Sequence, residues 1–346
     1  MEMDDRKIYI LKAIIHDYIT CGEPVGSRTI AKKYDLGISS ATIRNEMSDL
    51  EDMGYLEQLH TSSGRKPSDK GYRFYVDDLM KISALTSEEE AIIKNSLLDI
   101  AFEEIDKVLI EATEILSNLT NLTSVVKAPS LKTSSMRYLQ LAPIDNNSIL
   151  FTIVTNSGVI KNKVIKVKKS IDSSLILQIN NVLNLKLRNI SFEDMSLEFL
   201  EKLKQDLMQN EEIFNAIIPM LYETLINEDN SKVFIKGSTN IFNYQEYNNI
   251  DKAKDFLNFV NNVDYVKKLL DTDAKQGLSV KIGEENFLDS AKECSIITAT
   301  YSYNGNPIGT IGVIGPTRIP YSKVIAVVDK LVKELNYNIQ KLYKGF

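Results

Sequence analysis

The sequence contains few of the residues that form metal sites or disulfide frameworks. It has two cysteines among 346 residues, Cys21 and Cys294, and they are far apart in the chain. We therefore expect a reducing, cytoplasmic setting rather than a disulfide-stapled fold. The two histidines, His16 and His60, cannot complete a zinc site with two distant cysteines. We expect no metal and no other cofactor.

Long apolar runs and catalytic motifs are also missing. No run reaches the roughly 18 apolar residues of a membrane span, and the acidic start lacks the apolar region of a secretory signal. There is no glycine-rich phosphate loop between a strand and a helix, and no Gly-x-Ser-x-Gly turn. Adjacent carboxylates such as Glu284 and Glu285 are better explained as a solvated acidic face than as a catalytic pair. These absences predict a protein that is not an enzyme and does not enter a membrane.

Positive charge is scarce overall but concentrated in one segment. The net charge of −6 argues against a nucleic-acid partner when it is averaged over the chain. Residues 60–73, however, carry four basic side chains against Asp69 alone. Salt limits the reach of an exposed charge to about 8–10 Å, so the local arrangement decides whether phosphate can be bound.

The N-terminal pattern predicts a winged helix-turn-helix. Apolar spacing predicts a helix over residues 6–20, a short one from Ser27 to Tyr34 and a third over 40–53 capped by Ser39 or Ser40. Gly37 suits the turn between the second and third helices. A short strand over 55–59 and a basic loop over 60–67 follow, and residues 72–76 either return as a strand or open a helix.

The third predicted helix has the character of a DNA-recognition helix. Ile43, Met47 and Leu50 share one side, and small or hydrogen-bonding residues occupy the other. An arginine can bind guanine O6 and N7, and an asparagine can bind adenine N6 and N7. We predict base contacts from Ser40, Thr42, Arg44, Asn45 and Ser48. We predict DNA-backbone contacts from Arg28, Arg65, Lys66, Lys70 and Arg73. The alternatives are an ordinary core helix and a winged helix that binds protein.

The remaining chain alternates between strand and helix patterns. Residues 136–167 predict strands, 172–227 three amphipathic helices, and the segment from 278 a second group of strands before a last helix. The simplest interpretation is one α/β sensor-like domain interrupted by a mostly helical insertion. Two separate domains are also compatible with this order.

Several segments together resemble the HrcA family of heat-inducible transcription repressors. Residues 39–47, 50–51, 53–56, 60–65 and 69–77 match its DNA-binding helix and wing, and 282–286 and 315–321 match its distal motifs. The resemblance implies an α+β multidomain protein with a winged helix, a GAF-like α/β domain and an inserted dimerisation domain. We place the winged helix at 1–82, the GAF-like domain at 83–169 and 241–346, and the inserted domain at 170–240.

The resemblance also implies a function. The family represses chaperone operons as a dimer on an inverted-repeat operator called CIRCE, with the GroE chaperonin keeping the repressor active until heat inactivates it. Within the predicted insertion, the apolar stripe of Phe199, Leu203 and Leu207 is our expected dimer surface. A ligand-responsive repressor that uses its GAF-like domain and a protein-interaction module remain as alternatives.

Overall fold

The architecture was obtained as a computed structural model. The structure describes residues 3–34, 36–58, 64–99, 105–129, 134–156, 159–167, 173–206, 231–272 and 277–344. Within these ranges it is a mixed α+β protein with three sheets.

The N-terminal module consists of three helices, a two-stranded antiparallel sheet and a fourth helix. Its elements are α1 (Asp5–Cys21), α2 (Ser27–Lys33), α3 (Ser40–Asp52), β1 (Leu56–Glu57), β2 (Lys66–Pro67) and α4 (Asp69–Phe74), which continues into a π-helical turn, Tyr75–Leu79. Local capping explains these starts: Asp4 Oδ1 accepts from Lys7 N at 2.8 Å, and Ser68 Oγ accepts from Gly71 N at 3.1 Å. The three predicted helices are confirmed, and residues 72–76 are helical.

A five-stranded sheet with flanking helices follows. Its elements are α5 (Ser87–Asp99), α6 (Ile105–Thr120), β3 (Thr123–Lys127), β7 (Val233–Lys236), α9 (Ile250–Asn261), α10 (Val263–Thr272), β8 (Leu278–Ile282), β9 (Cys294–Tyr303), β10 (Asn306–Pro316) and α11 (Tyr321–Lys344). The strand order is β7-β3-β10-β9-β8. Phe256, Val260 and Leu269 from α9 and α10 pack in one core with Val125 and Ile314 of the sheet. One side of the last helix is buried, with Val324, Val328, Leu331, Leu335 and Ile339.

Residues 136–206 form a separate layered structure. It contains β4 (Met136–Asp145), β5 (Ser148–Thr155), β6 (Ile160–Lys166), α7 (Ser173–Leu187) and α8 (Leu197–Asp206). The three strands pair antiparallel in the order β4-β5-β6. Alternate residues such as Leu139, Phe151 and Ile165 face a core shared with Ile179 and Leu183 of α7.

This arrangement corrects the predicted domain limits. The chain divides into one compact unit of residues 1–126, 233–301 and 310–338, and a second of 127–232, 302–309 and 339–346. The strands over 136–166, which we assigned to the GAF-like domain, form a sheet of their own. The second unit therefore starts near residue 127 rather than 170, and its described part contains a sheet as well as helices.

The structure places the described residues of the predicted dimer stripe in or against a core rather than on an open surface. Leu203 is buried in the core of the second unit, and Phe199 is partly buried against that core. Both side chains stabilise the unit from within, because they belong to the core that also contains residues of its three strands and of α7. Leu207 lies outside the described residues.

Candidate nucleic-acid interface

Helix α3 begins and packs for reasons that are local in the sequence. Ser39 Oγ accepts from Thr42 N at 3.1 Å, which satisfies one of the free amides of the first turn. Gly37 takes a positive φ of 62° in the preceding turn. Ile43, Met47 and Leu50 are buried at three- and four-residue spacing, so one side of α3 is fixed against the module.

The opposite side of α3 is open to solvent. Ala41, Arg44, Asn45 and Ser48 are exposed, and we call this surface the α3 face. Among the described residues, the side chains of Arg44, Asn45 and Ser48 make no hydrogen bond or ion pair with each other or with the rest of the chain. Their donors and acceptors are therefore available to a partner.

Ser40 and Thr42 differ from the other predicted base contacts. Both are half-buried, at the N-terminal edge of the α3 face. Thr42 Oγ1 lies 3.0 Å from Ser39 Oγ, so its hydroxyl is already engaged in the cap. Base contacts of Ser40 and Thr42 remain a prediction. The exposed side chains of Arg44, Asn45 and Ser48 are better placed for such contacts.

Two acidic residues of α3 pair with Lys7 of α1. Lys7 Nζ lies 2.9 Å from Glu46 Oε2, 3.2 Å from Asp49 Oδ2 and 3.7 Å from Asp4 Oδ2. The hydrogen bond to Glu46, helped by Asp49, raises the pKa of Lys7. The cluster keeps Lys7 charged and offsets part of the negative charge that Glu46 and Asp49 place on α3.

Helix α2 contributes a basic groove, of which only Arg28 was predicted to contact DNA. Arg28, Thr29, Lys32 and Lys33 line an open depression of about 500 Å³. Lys33 Nζ is held by Asp17 Oδ1 at 2.7 Å, whereas Arg28 and Lys32 are exposed and make no ion pair within the described residues. The paired lysines in the last turn of a short helix were the signal that could have identified Lys32 and Lys33.

The wing, which contains the β1-β2 pair, is bonded to the segment before α2 and to α3. Val25 and Arg65 exchange two backbone hydrogen bonds of 2.8 and 2.9 Å, which adds the segment before α2 to the β1-β2 pair. Arg65 also donates from Nε to Glu51 Oε2 at 2.7 Å. Residues 59–63, between β1 and β2 in the chain, lie outside the described residues.

The basic residues predicted around the wing all have partners inside the chain. Lys66 pairs with Glu57 at 3.2 Å, and Lys70 Nζ donates to Met53 O at 2.8 Å and lies 4.4 Å from the centre of the Tyr55 ring. Surface pairs of this kind are weak, so Lys66 and Lys70 can exchange them for phosphate. Their role in binding the DNA backbone stays a prediction.

Arg73 is placed differently from the other predicted backbone contacts. Its guanidinium donates to both carboxylate oxygens of Glu285, to Val280 O at 2.6 Å and to Asp77 Oδ1 at 3.1 Å. These bonds use most of its donors and direct it toward the five-stranded sheet. We therefore omit Arg73 from the proposed DNA contacts.

The described residues contain no cluster of three or more histidine, cysteine or acidic side chains that could hold a metal ion. Among them there is also no helix long and apolar enough to cross a membrane.

Comparison with known proteins establishes the family. A model described as the HrcA protein C-terminal domain matches residues 106–325. A heat-inducible transcription repressor HrcA of Clostridium tetani is 54% identical over 97% of this chain and 95% of its own length. The chain belongs to the HrcA family of heat-inducible transcription repressors. A second HrcA repressor, from Clostridium acetobutylicum, is 51% identical over 99% of both chains.

Membership of the HrcA family has consequences for function and fold. HrcA proteins are transcription repressors, so the chain is not an enzyme. A crystal structure of a hypothetical protein at 2.2 Å resolution superposes with a TM-score of 0.62 at 24% identity, covering 99% of this chain and all of that one. The likeness shows that the fold recurs in a solved structure.

Proposed function

We propose that this HrcA protein represses chaperone operons by binding, as a homodimer, to an inverted-repeat CIRCE operator. The α3 face is the observation that carries the proposal. It offers Arg44, Asn45 and Ser48 without internal partners among the described residues, on a helix where Lys7 pairs with Glu46 and Asp49. A helix presenting such groups can hydrogen-bond base edges in the major groove.

Basic residues of the same module support this mode of binding. The groove of α2 presents Arg28 and Lys32, which are exposed. The wing contributes Arg65, Lys66 and Lys70, which would exchange their partners Glu51, Glu57 and Met53 O for phosphate. In this proposal the N-terminal module is a winged helix-turn-helix, and the flanking basic residues hold the phosphate backbone while the α3 face contacts bases.

An inverted repeat requires a two-fold dimer, because each half-site then meets an identical helix. We propose that the second unit supplies the contact through the outer face of its sheet. Pairing aligns Tyr138, Val154 and Ile160 in one row and Ala142, Leu150 and Val164 in another. Tyr138, Ile160 and Val164 are 46%, 59% and 53% exposed, an apolar surface that a second copy of the chain would cover.

Sedimentation of Val164→Lys tests this surface. We expect a shift from dimer to monomer, with the wild-type circular dichroism spectrum, because a lysine would be buried without a partner. Lys163→Val alters the neighbouring strand position and serves as a control that stays dimeric. A dimeric Val164→Lys protein would refute the surface and leave DNA binding by the N-terminal module untouched.

The GroE chaperonin is the proposed protein partner, and the five-stranded sheet with its helices is the proposed GAF-like domain. Family membership supports both. If the chaperonin maintains the active form, adding GroE with ATP to heat-treated repressor should raise the fraction that binds operator in a stoichiometric titration. An active fraction that GroE does not change would remove it from the proposal.

Fluorescence anisotropy tests the function. The probes are a duplex carrying the family's inverted repeat and a scrambled duplex of equal composition, at several salt concentrations, before and after heat shock. We expect the repeat to be preferred by at least about 10³-fold and the preference to be lost on heating. Equal binding to both duplexes by folded dimer would overturn the proposal. Preference that survives heat but changes with metabolites would favour the ligand-responsive repressor.

A further inference from the structure

The C-terminal end of α1 is capped by a residue from far along the chain. The last turn of α1 carries no basic side chain, and Gly22 ends the helix with φ of 76°. Arg318 Nη1 donates to Ile19 O at 3.0 Å, satisfying a carbonyl that the helix leaves free. A Cβ on residue 22 would lie 3.0 Å from Cζ of Arg318, so the guanidinium rests directly on the glycine.

The same guanidinium is fixed from the opposite side. Arg318 Nε donates to Glu246 Oε1 at 2.6 Å, and Nη2 donates to Glu246 Oε2 at 3.0 Å. The Tyr244 ring lies 5.4 Å from Cζ, and the Arg318 side chain is 9% exposed. A bidentate pair at this degree of burial has a defined geometry, unlike a surface ion pair.

A second set of bonds joins α4 to the segment after β8. Arg73 donates to Glu285 and Val280, as described above, and Asp69 Oδ2 accepts from Glu284 N at 3.0 Å. Gly283 has φ of 54°, and a Cβ there would collide with the Asp69 carboxylate. The glycine thus allows the two segments to approach closely.

Between these two sets of bonds lies an aromatic pair. Tyr72 and Tyr321 are both fully buried, with ring centres 5.6 Å apart. Tyr321 Oη donates to Thr317 O at 2.6 Å and lies 2.6 Å from Ser295 Oγ. We call the contacts of Arg318, Arg73, Asp69 and this pair the joint. It fastens the N-terminal module to the five-stranded sheet within one compact unit.

The joint leaves the α3 face free. Arg44, Asn45 and Ser48 are exposed while every bond of the joint is formed. The joint therefore does not cover the proposed DNA-binding surface. It can affect DNA binding only through the orientation of the N-terminal module relative to the five-stranded sheet.

We propose that Arg318 is a positioning residue for operator binding: by capping α1 and pairing with Glu246, it fixes the N-terminal module so that the two α3 helices of a dimer meet both half-sites at one spacing. The inference rests on the proposed dimeric repressor. With a rigid joint, binding of one half-site places the second helix at a high effective concentration over the other. A loosened joint loses this advantage without altering the interactions within a half-site.

Arg318→Gln separates these effects when three duplexes are compared by anisotropy. They carry the full inverted repeat, a single half-site, and the repeat with its spacer lengthened by about five base pairs, half a helical turn. We expect half-site affinity to stay within about twofold, full-repeat affinity to fall at least about 10-fold, and the penalty for the longer spacer to shrink. Lys252→Gln, which removes an exposed pair with Glu293, is the matched control and should behave as wild type.

Equal losses on half-site and full repeat would show that Arg318 maintains the fold of the module, and would overturn the inference. A gain on the full repeat would also overturn it. If Arg318→Gln does not fold, Glu285→Gln weakens the Arg73–Glu285 pair of the joint and carries the same three measurements. A wild-type protein that binds half-site and full repeat equally would count against the proposed dimeric function, independently of the variants.

Discussion

The side-chain amide of Asn180 pairs with the backbone of Leu141 as a neighbouring strand would. Its Nδ2 donates to Leu141 O at 2.9 Å and its Oδ1 accepts from Leu141 N at 2.7 Å. One turn later, Asn184 does the same with Leu139, at 2.6 and 2.9 Å. The spacing works because four helical residues advance about 6 Å and two strand residues advance about 6.7 Å. Helix α7 thereby satisfies the open edge of β4, which would otherwise invite pairing with another chain.

Asn180→Ala should destabilise the second unit by about 1–3 kcal/mol, because it leaves the N–H and C=O of Leu141 without partners. Asn180→Asp should be no better, since it removes the donor and sets a carboxylate against Leu141 O. The urea midpoint of the transition followed by far-ultraviolet circular dichroism measures both. Asn181→Ala, an exposed asparagine one position away, is the control and should leave the midpoint unchanged. Equal effects at positions 180 and 181 would contradict the edge-pairing role.

Arg44 and the pair Arg28 and Lys32 should affect DNA binding in different ways. Arg44→Ala should weaken operator binding by about 1–3 kcal/mol and leave scrambled duplex nearly unaffected, as for a base contact. Arg28→Ala with Lys32→Ala should weaken both duplexes and reduce the slope of log K against log salt by about 0.9 for each phosphate that is no longer neutralised. Salt titrations by anisotropy distinguish the two patterns. Lys12→Ala, an exposed lysine on α1, controls for the change in net charge.

Ionisation of Asp69 makes the stability of the joint depend on pH, and the direction follows from the pKa of this carboxyl. Burial raises the pKa of its carboxyl, and the carboxylates of Glu57, Glu284 and Glu285 add to this against the hydrogen bond from Glu284 N. A raised pKa means that the folded protein binds this proton more tightly than the unfolded chain. The contribution of Asp69 to stability therefore improves as pH falls from neutral through its raised pKa.

Asp69→Asn keeps an oxygen for Glu284 N and removes the charge. We expect it to be more stable than wild type at neutral pH, by no more than about 1 kcal/mol because the site is only partly buried. The two thermal midpoints should converge as pH falls and wild-type Asp69 takes up its proton. Asp78→Asn, at an exposed position, should show no such convergence. A difference between Asp69→Asn and wild type that is constant with pH would exclude the assigned cause.

Local signals in the sequence predicted most of the elements. Ser39 caps α3 as predicted, and Thr86 and Glu89 form a capping box through bonds of 2.9 and 3.2 Å. Asn304 and Gly305 both have positive φ, as the type I′ turn typical of an Asn-Gly pair requires. In each case the determining residues are within a few positions of the feature that they set.

Features that depend on distant residues were missed. Alternation predicts that residues 136–166 are strands but does not say which sheet they join, so the limit of the second unit was misplaced. The helical stretch over residues 250–272 is divided at Asn262, whose Oδ1 accepts from Tyr265 N at 3.2 Å. An asparagine before Val-Asp is a cap signal in the sequence. Nothing near Arg318 in the sequence indicates that it caps α1, because its partner is the carbonyl of Ile19.

Two glycines with nearly equal φ allow backbone strain to be separated from packing. Gly237 has φ of 67° and Gly277 has φ of 72°, yet a Cβ on Gly277 would meet nothing within 4 Å among the described residues. A Cβ on Gly237 would overlap Ser117 Oγ and approach Asn240 Nδ2. Those two side chains are bonded to each other at 3.0 Å, and both donate to Leu122 O, at 3.1 Å each.

Gly277→Ala should cost about 1–2 kcal/mol, the strain of a left-handed alanine alone. Gly237→Ala should carry the same strain and also break the bonds to Leu122 O, for a total above about 3 kcal/mol. Urea midpoints of the two variants, compared with wild type, give the difference directly. Similar midpoints for both variants would mean that the chain around Ser117 relaxes to accept a methyl group. A wide separation would show that residue 237 must be glycine for close packing, beyond its backbone angle.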